Sequence, residues 1–158
     1  MAKLSPTSIS DRQLRLMNPV MKLLIRRGVG SLAREMMVIN WTGRKSGRVL
    51  STPVSRFDGD AGLVYTTTTS GFRHNFVDGW PAQLQLGRDL VSVNGLLVAD
   101  PDAVASRMIS VLDELGPKRG ARNLGINMAD RPSMGELTAF VADTGWSVID
   151  FTPLAQGT

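Results

Sequence analysis

Between residues 36 and 69 the chain gives three short runs rich in β-branched and apolar residues, "MMVINW", "VLSTPVSRF" and "GLVYTTTT". Each run is too short for a typical helix, and each is bounded by turn residues: "TGRKSG" between the first two, "DGD" between the last two. A chain that reverses this often over 34 residues is committed to antiparallel strands, so a meander is expected here. Later segments extend the pattern. "LVSVNGLLVADP" reads as a hairpin about Asn94-Gly95, and "WSVIDFTP" as a last strand. The connection "SGFRHNFVDGWPAQLQLGRD" reads as long and partly helical.

Helical signals lie at the ends and between the strands. Leu14, Met17, Met21, Leu24 and Ile25 recur at helical spacing among Arg12, Arg15, Lys22, Arg26 and Arg27, with Pro19 inside and Gly28 as a stop. Asp100-Pro101 is a capping acid followed by a proline at the first helical position, and that helix stops at Gly116-Pro117. "KRGARNLGINMADRP" reads as loop. Ser133 with Glu136 forms a capping box for "MGELTAFVA". The expected class is α+β: a split β-barrel of about six mostly antiparallel strands with covering helices. Residues 1–10 are expected to be disordered, and residues 11–158 to form one domain that includes the N-terminal amphipathic helix.

Composition narrows the chemistry. The chain has no cysteine and one histidine, His74, which excludes disulfides, thiol nucleophiles and multi-histidine metal sites; no metal is expected. No apolar run has the length of a membrane span and no signal-peptide core begins the chain, so a cytoplasmic location is expected. Residues 1–56 carry eleven Lys or Arg against two acids, Asp11 and Glu35, whereas residues 57–158 carry seven against twelve. The basic end suits an anionic ligand or surface. Contact of the basic N-terminal helix with a membrane surface is left open, as is a homodimer. Nucleic acid is not expected, because zinc-finger, helix-turn-helix and aromatic RNA-binding signatures are absent.

The loop "TGRKSGRVLSTP" concentrates three cations, two glycines and four hydroxyls in Thr42–Pro53. It reads either as a solvated turn or as an anion site. Glycines let N–H groups converge, Arg offers a planar fork to phosphate, and Lys adds a mobile charge.

"MVINWTGRKSGRVLSTPV", "DGDAGLVYTTTTSG", "WPAQL" and "LVSV", taken in order, resemble the deazaflavin-dependent nitroreductases, within the split β-barrel flavin and deazaflavin oxidoreductases. The resemblance covers roughly residues 15–100. It implies coenzyme F-420 as cofactor, with FMN as the alternative. It implies that Arg44, Lys45 and Ser46 bind the phosphate or tail and that Gly43 and Gly47 shape the turn. Pro53 and Ser55 would lie beneath the ring, and Thr68, Thr69, Ser70 and Gly71 would form a second wall. Trp80 would match the family's tryptophan, with Gln83 in place of an asparagine. Leu50 stands where the family often has arginine, and the nitroreductase branch's second-loop lysine and C-terminal tyrosines have no counterpart. The implied activity is hydride transfer from reduced deazaflavin to a small electron-poor acceptor such as a quinone or enone, with no catalytic acid assigned. The alternatives are a non-catalytic barrel that binds a flavin, deazaflavin or lipid-like ligand, and an FMN-dependent oxidoreductase.

Overall fold

The computed structural model describes residues 4–6, 11–30 and 32–154, with the backbone alone at 11–18 and 32–33. In chain order the elements are β1 (Leu4–Pro6), α1 (Asp11–Arg26), α2 (Leu32–Glu35), β2 (Met36–Thr42), β3 (Val49–Ser55), β4 (Phe57–Asp58), β5 (Val64–Thr68), β6 (Trp80–Leu86), β7 (Asp89–Val98), α3 (Pro101–Leu115), α4 (Pro117–Leu124), β8 (Ile126–Met128), α5 (Met134–Thr144) and β9 (Ser147–Pro153). Short 3-10 turns occupy Asp60–Gly62 and Gly71–Phe76.

Seven strands form one sheet in the order β3-β2-β6-β7-β9-β5-β4. The β3–β2, β2–β6, β6–β7 and β5–β4 pairs are antiparallel. The class is α+β, consistent with a split barrel. The expected meander is only half present. β2 and β3 form a hairpin, but β5 lies at the far side of the sheet with β4. The turn at "DGD" joins β4 to β5, two strands of one edge pair, so "VLSTPVSRF" is broken into β3 and β4.

The described residues group into two compact units. One comprises 11–30, 32–66, 74–97 and 149–154; the other comprises 4–6, 67–73 and 98–148. In the first, Met37, Ile39, Leu84, Val93 and Phe151 are fully or almost fully buried. The helix α1 continues through Pro19 and packs on β2, β3 and β6, burying Ile25.

Two sequence expectations fail within this unit for physical reasons. Asn94-Gly95 is not a turn: β7 runs straight through it. A Cβ on Gly95 would lie 2.4 Å from Phe76 Cδ1 and 3.0 Å from Phe151 Cε1, so the glycine admits an aromatic ring edge. The real hairpin turn is Gly87-Arg88, closed by Leu86 opposite Asp89, with Gly87 at φ +59°. The segment "WPAQLQL", expected in a partly helical connection, is strand β6 at the sheet's interior. Its Ala82 and Leu84 alternate inward. Pro81 lies beyond the stretch Gln83–Gln85 that pairs with β2, so its missing N–H leaves no gap in that ladder.

In the other unit, α3 packs against α4 and α5 around Val104, Met108, Leu112, Leu137 and Val141. Asp100 caps α3 by accepting the Ala103 N–H, and Ser133 and Glu136 cap α5 reciprocally, both as expected. The segment expected to be loop after Pro117 is helix α4 followed by strand β8. A Cβ on Gly120 would lie 3.1 Å from Leu112 Cα, so that glycine permits a close helix approach. Leu4–Pro6, placed within an expected disordered segment, is strand β1, paired antiparallel with β8. The partner that orders it is more than a hundred residues away, which local sequence cannot disclose.

Candidate functional site

The turn between β2 and β3 is closed by the Gly43 N–H donating to the Arg48 carbonyl, leaving a four-residue loop, Arg44 to Gly47. The Gly47 N–H donates to the Gly43 carbonyl, and the Arg48 N–H donates to Ser46 Oγ. Gly47 sits at φ +67°, where a side chain is strained. A Cβ on Gly43 would fall 2.4 Å from Ser46 Oγ. The glycines thus shape the turn. The N–H groups of Gly43, Gly47 and Arg48 are spent inside it rather than converging on a shared point.

Arg44 and Trp80 form one cluster. The Trp80 indole N–H donates to the Thr42 carbonyl at 2.8 Å. The Arg44 guanidinium lies 4.6 Å from the Trp80 ring centroid, and its Nη2 donates to the Gly79 carbonyl at 2.8 Å. The Arg44 backbone N–H donates to Asn75 Oδ1, also at 2.8 Å. The cation–π contact at such an exposed place is worth about 0.5–1 kcal/mol. The two hydrogen bonds tie the loop to the 75–80 segment.

Beside this cluster lies a groove of about 430 Å³, within the usual range for small-molecule sites. Trp80, Trp41 and Thr42 line one part of it, and Val49 and Leu154 supply exposed apolar surface. Asn40 stands opposite Gln83, and Gln83 opposite Ser92, so three uncharged polar side chains form a row across β2, β6 and β7. All three line the groove, and among the described residues no ionisable one does. Thr42 and Val49 flank the loop directly, so the groove wall runs into "GRKSGR". A site of this composition suits an uncharged ring with amide-like edges, with an anionic extension over the cationic loop.

The other residues assigned from the sequence stand apart from the groove lining. Pro53 and Ser55 lie on β3 opposite Val38 and Met36. Thr68, Thr69, Ser70 and Gly71 belong to the other unit, where they make a self-contained turn. The Ser70 N–H donates to Thr68 Oγ1 at 3.0 Å, and Arg73 Nη1 donates to the carbonyls of Thr69 and Ser70. Loop and Trp80 are therefore brought together in one unit, and the threonine turn is built in the other. The sequence reading missed Asn40 and Ser92 as groove residues and noted Gln83 only as a departure. The alternation Ala82, Leu84, Leu86 against Pro81, Gln83, Gln85 was the available signal, once that segment is read as a strand.

Among the described residues no cluster of three His, Asp or Glu side chains could hold a metal, and no helix is long and apolar enough to cross a membrane. No protein-family model matches the chain, and no curated protein matches it. Among solved structures, the chain is similar to an F420 reductase at 15% identity and TM-score 0.40, over 85% of this chain and 93% of that one. It is similar to General Stress Protein 26 from Bacillus anthracis str. Sterne at 12% identity and TM-score 0.39, over 82% and 89%. It is also similar to the FAD and heme binding protein from Mycobacterium smegmatis at 14% identity and TM-score 0.44, over 98% and 69%. At these scores the likeness is distant.

Proposed function

We propose that this protein binds coenzyme F-420 in preference to FMN and serves hydride transfer to a quinone, enone or similar electron-poor acceptor. The observation that supports this reading is the uncharged, tryptophan-walled groove whose edge continues into a loop with three cations. Trp80 and the row Asn40, Gln83, Ser92 would hold the ring, by stacking and by hydrogen bonds to its edge. The cationic loop would hold the phosphodiester and tail. When bound, the reduced deazaflavin supplies a hydride to the acceptor, and the accompanying proton comes from solvent. The protein's own part is binding, orientation and exclusion of water, since the described residues of the groove lining include no acid or base.

The same lack of an ionisable group favours a second reading, a binding protein without turnover. Titration of F-420 and FMN, followed by tryptophan fluorescence, tests the cofactor. F-420 is expected to bind more tightly; equal or tighter FMN binding overturns that choice. Stopped-flow absorbance of the reduced deazaflavin with menadione tests turnover. Tight binding with no acceptor-dependent oxidation establishes the binding protein instead.

A further inference from the structure

Asp or Asn precedes Gly at three places in the sequence: Asp58-Gly59, Asp78-Gly79 and Asn94-Gly95. Glycine has no Cβ, so at each place the following amide nitrogen can approach the preceding side-chain carbonyl carbon. All three lie in the same compact unit, but their surroundings differ. Asn94 is inside strand β7, paired with Pro81, and Gly95 is wedged against Phe76 and Phe151. Asp58 pairs with Val64 in β4, and its carboxylate meets Arg56 Nε at 3.2 Å. The Gly59 N–H donates to the Leu63 carbonyl at 2.8 Å. Asp78 has no such restraints. It is exposed, and its side chain makes no hydrogen bond or ion pair among the described residues. The Gly79 N–H donates to the Phe76 carbonyl at 3.2 Å, the long end of the normal range. Asp78 also sits at φ +62°, one of two non-glycine residues with positive φ among those described, and Gly79 follows at φ +95°. A side chain at such a φ stores backbone strain.

We infer that Asp78-Gly79 is a self-modification site, where aspartate converts to isoaspartate, and that the conversion disturbs the Arg44–Trp80 cluster. The Gly79 nitrogen attacks the Asp78 carboxyl carbon. A C–N bond forms, the amide proton and a carboxyl hydroxyl leave as water, and a cyclic succinimide results. Water then adds to the former main-chain carbonyl carbon of Asp78, and the bond from that carbon to the Gly79 nitrogen breaks. The nitrogen regains its proton, and the chain now runs through the Asp78 side chain, with one more backbone atom and a free α-carboxylate. Water leaves once and enters once, so neither mass nor oxidation state changes. The extra atom lies directly before Gly79, whose carbonyl accepts from Arg44 Nη2. It also lies one residue before Trp80, whose indole N–H donates to the Thr42 carbonyl and whose ring carries the Arg44 guanidinium. None of this depends on what the groove binds.

Trypsin separates the three sites into peptides 57–73, 74–88 and 89–107. Native protein is stored for weeks at neutral pH and body temperature and then digested. Isoaspartate is located by electron-transfer fragmentation and by methylation with a protein isoaspartyl methyltransferase. It should accumulate at 78 roughly tenfold faster than at 58, the factor expected if backbone strain at 78 is released on ring closure. Asn94 should stay intact. In urea the order should invert, with Asn94 reacting first, because ammonia leaves an amide more readily than hydroxide leaves a carboxyl. Equal native rates at 58 and 78, or native loss of Asn94 ahead of Asp78, overturns the site. The near-UV circular dichroism of tryptophan should change in step with isoaspartate at 78. Prolonged treatment with the methyltransferase and S-adenosylmethionine, which returns isoaspartate to aspartate, should restore it. Asp78→Glu would need a larger, less favourable ring, so it should store without conversion or spectral drift. An unchanged spectrum in converted protein, or the same drift in Asp78→Glu, refutes the link to Arg44 and Trp80.

Discussion

Gly95 shows how a residue can be read correctly for its identity and wrongly for its cause. The Asn-Gly pair is a strong turn signal, yet here the glycine is needed because Phe76 and Phe151 meet edge to face over it, with ring centroids 5.8 Å apart. Phe76 also packs against Trp41. Adding one methyl group would push a fully buried ring against other rings. Gly95→Ala should therefore destabilise the fold by about 1–3 kcal/mol, the usual range for overpacking. Shrinking the opposing ring should recover part of the loss, so Gly95→Ala/Phe76→Leu should be less damaging than the two single changes added together. Chemical denaturation of the four proteins measures this coupling. Strict additivity would mean that the ring contact is not what forbids a side chain at 95. The same distinction applies to the site. The glycines of "TGRKSG" were legible because turn chemistry is local. The engagement of Arg44 was not, because Asn75 and Gly79 lie more than thirty residues away.

At the scale of elements, legibility followed the range of the interactions. The α3 and α5 caps could be read because donor and acceptor lie three residues apart. Strands β1 and β8 escaped notice because each is three residues long and exists by pairing with the other. Strand β6 contains a proline, and a sheet accepts one where its missing N–H falls outside a ladder. Pro53 illustrates this on β3, which is an edge of the seven-stranded sheet. Gly43 bonds Arg48 and Arg56 bonds Glu35, so the even-numbered residues of β3 face β2 with their N–H groups and the odd-numbered ones face away. Pro53 is odd-numbered. Its missing N–H costs the ladder nothing and removes a donor from the open edge, a common defence against edge-to-edge pairing. Pro53→Val should leave the monomer folded but raise self-association at high concentration. Analytical ultracentrifugation of the variant and wild type over a concentration series tests this. Identical sedimentation would show that the edge is protected by something other than its proline.

At the scale of the whole molecule, the dominant feature is the separation of charge along the chain, with eleven Lys or Arg against two acids in residues 1–56. The described part of α1 and the turn after it add an apolar component. Val20, Leu23 and Val29 are 58%, 48% and 47% exposed, and Arg26 and Arg27 are exposed among them, while Ile25 on the other side is buried. Apolar side chains displayed beside arginines, on a helix whose inner face is already committed, fit a membrane surface better than plain water. We propose that this face rests on anionic lipid. Each basic residue near such a surface contributes about 1 kcal/mol, so the two arginines together would contribute about thirtyfold in affinity. Wild-type protein should sediment with vesicles containing phosphatidylserine and much less with purely zwitterionic ones. Raising the salt should release it, because exposed charges are screened over about 8–10 Å at physiological ionic strength. Arg26→Glu/Arg27→Glu should lose binding while keeping the wild-type melting temperature. Leu23→Ser should weaken binding without changing its dependence on salt, since it removes only the apolar part. Equal sedimentation with both vesicle types, or none with either at low salt, would assign the charge of this end to the loop and its ligand alone.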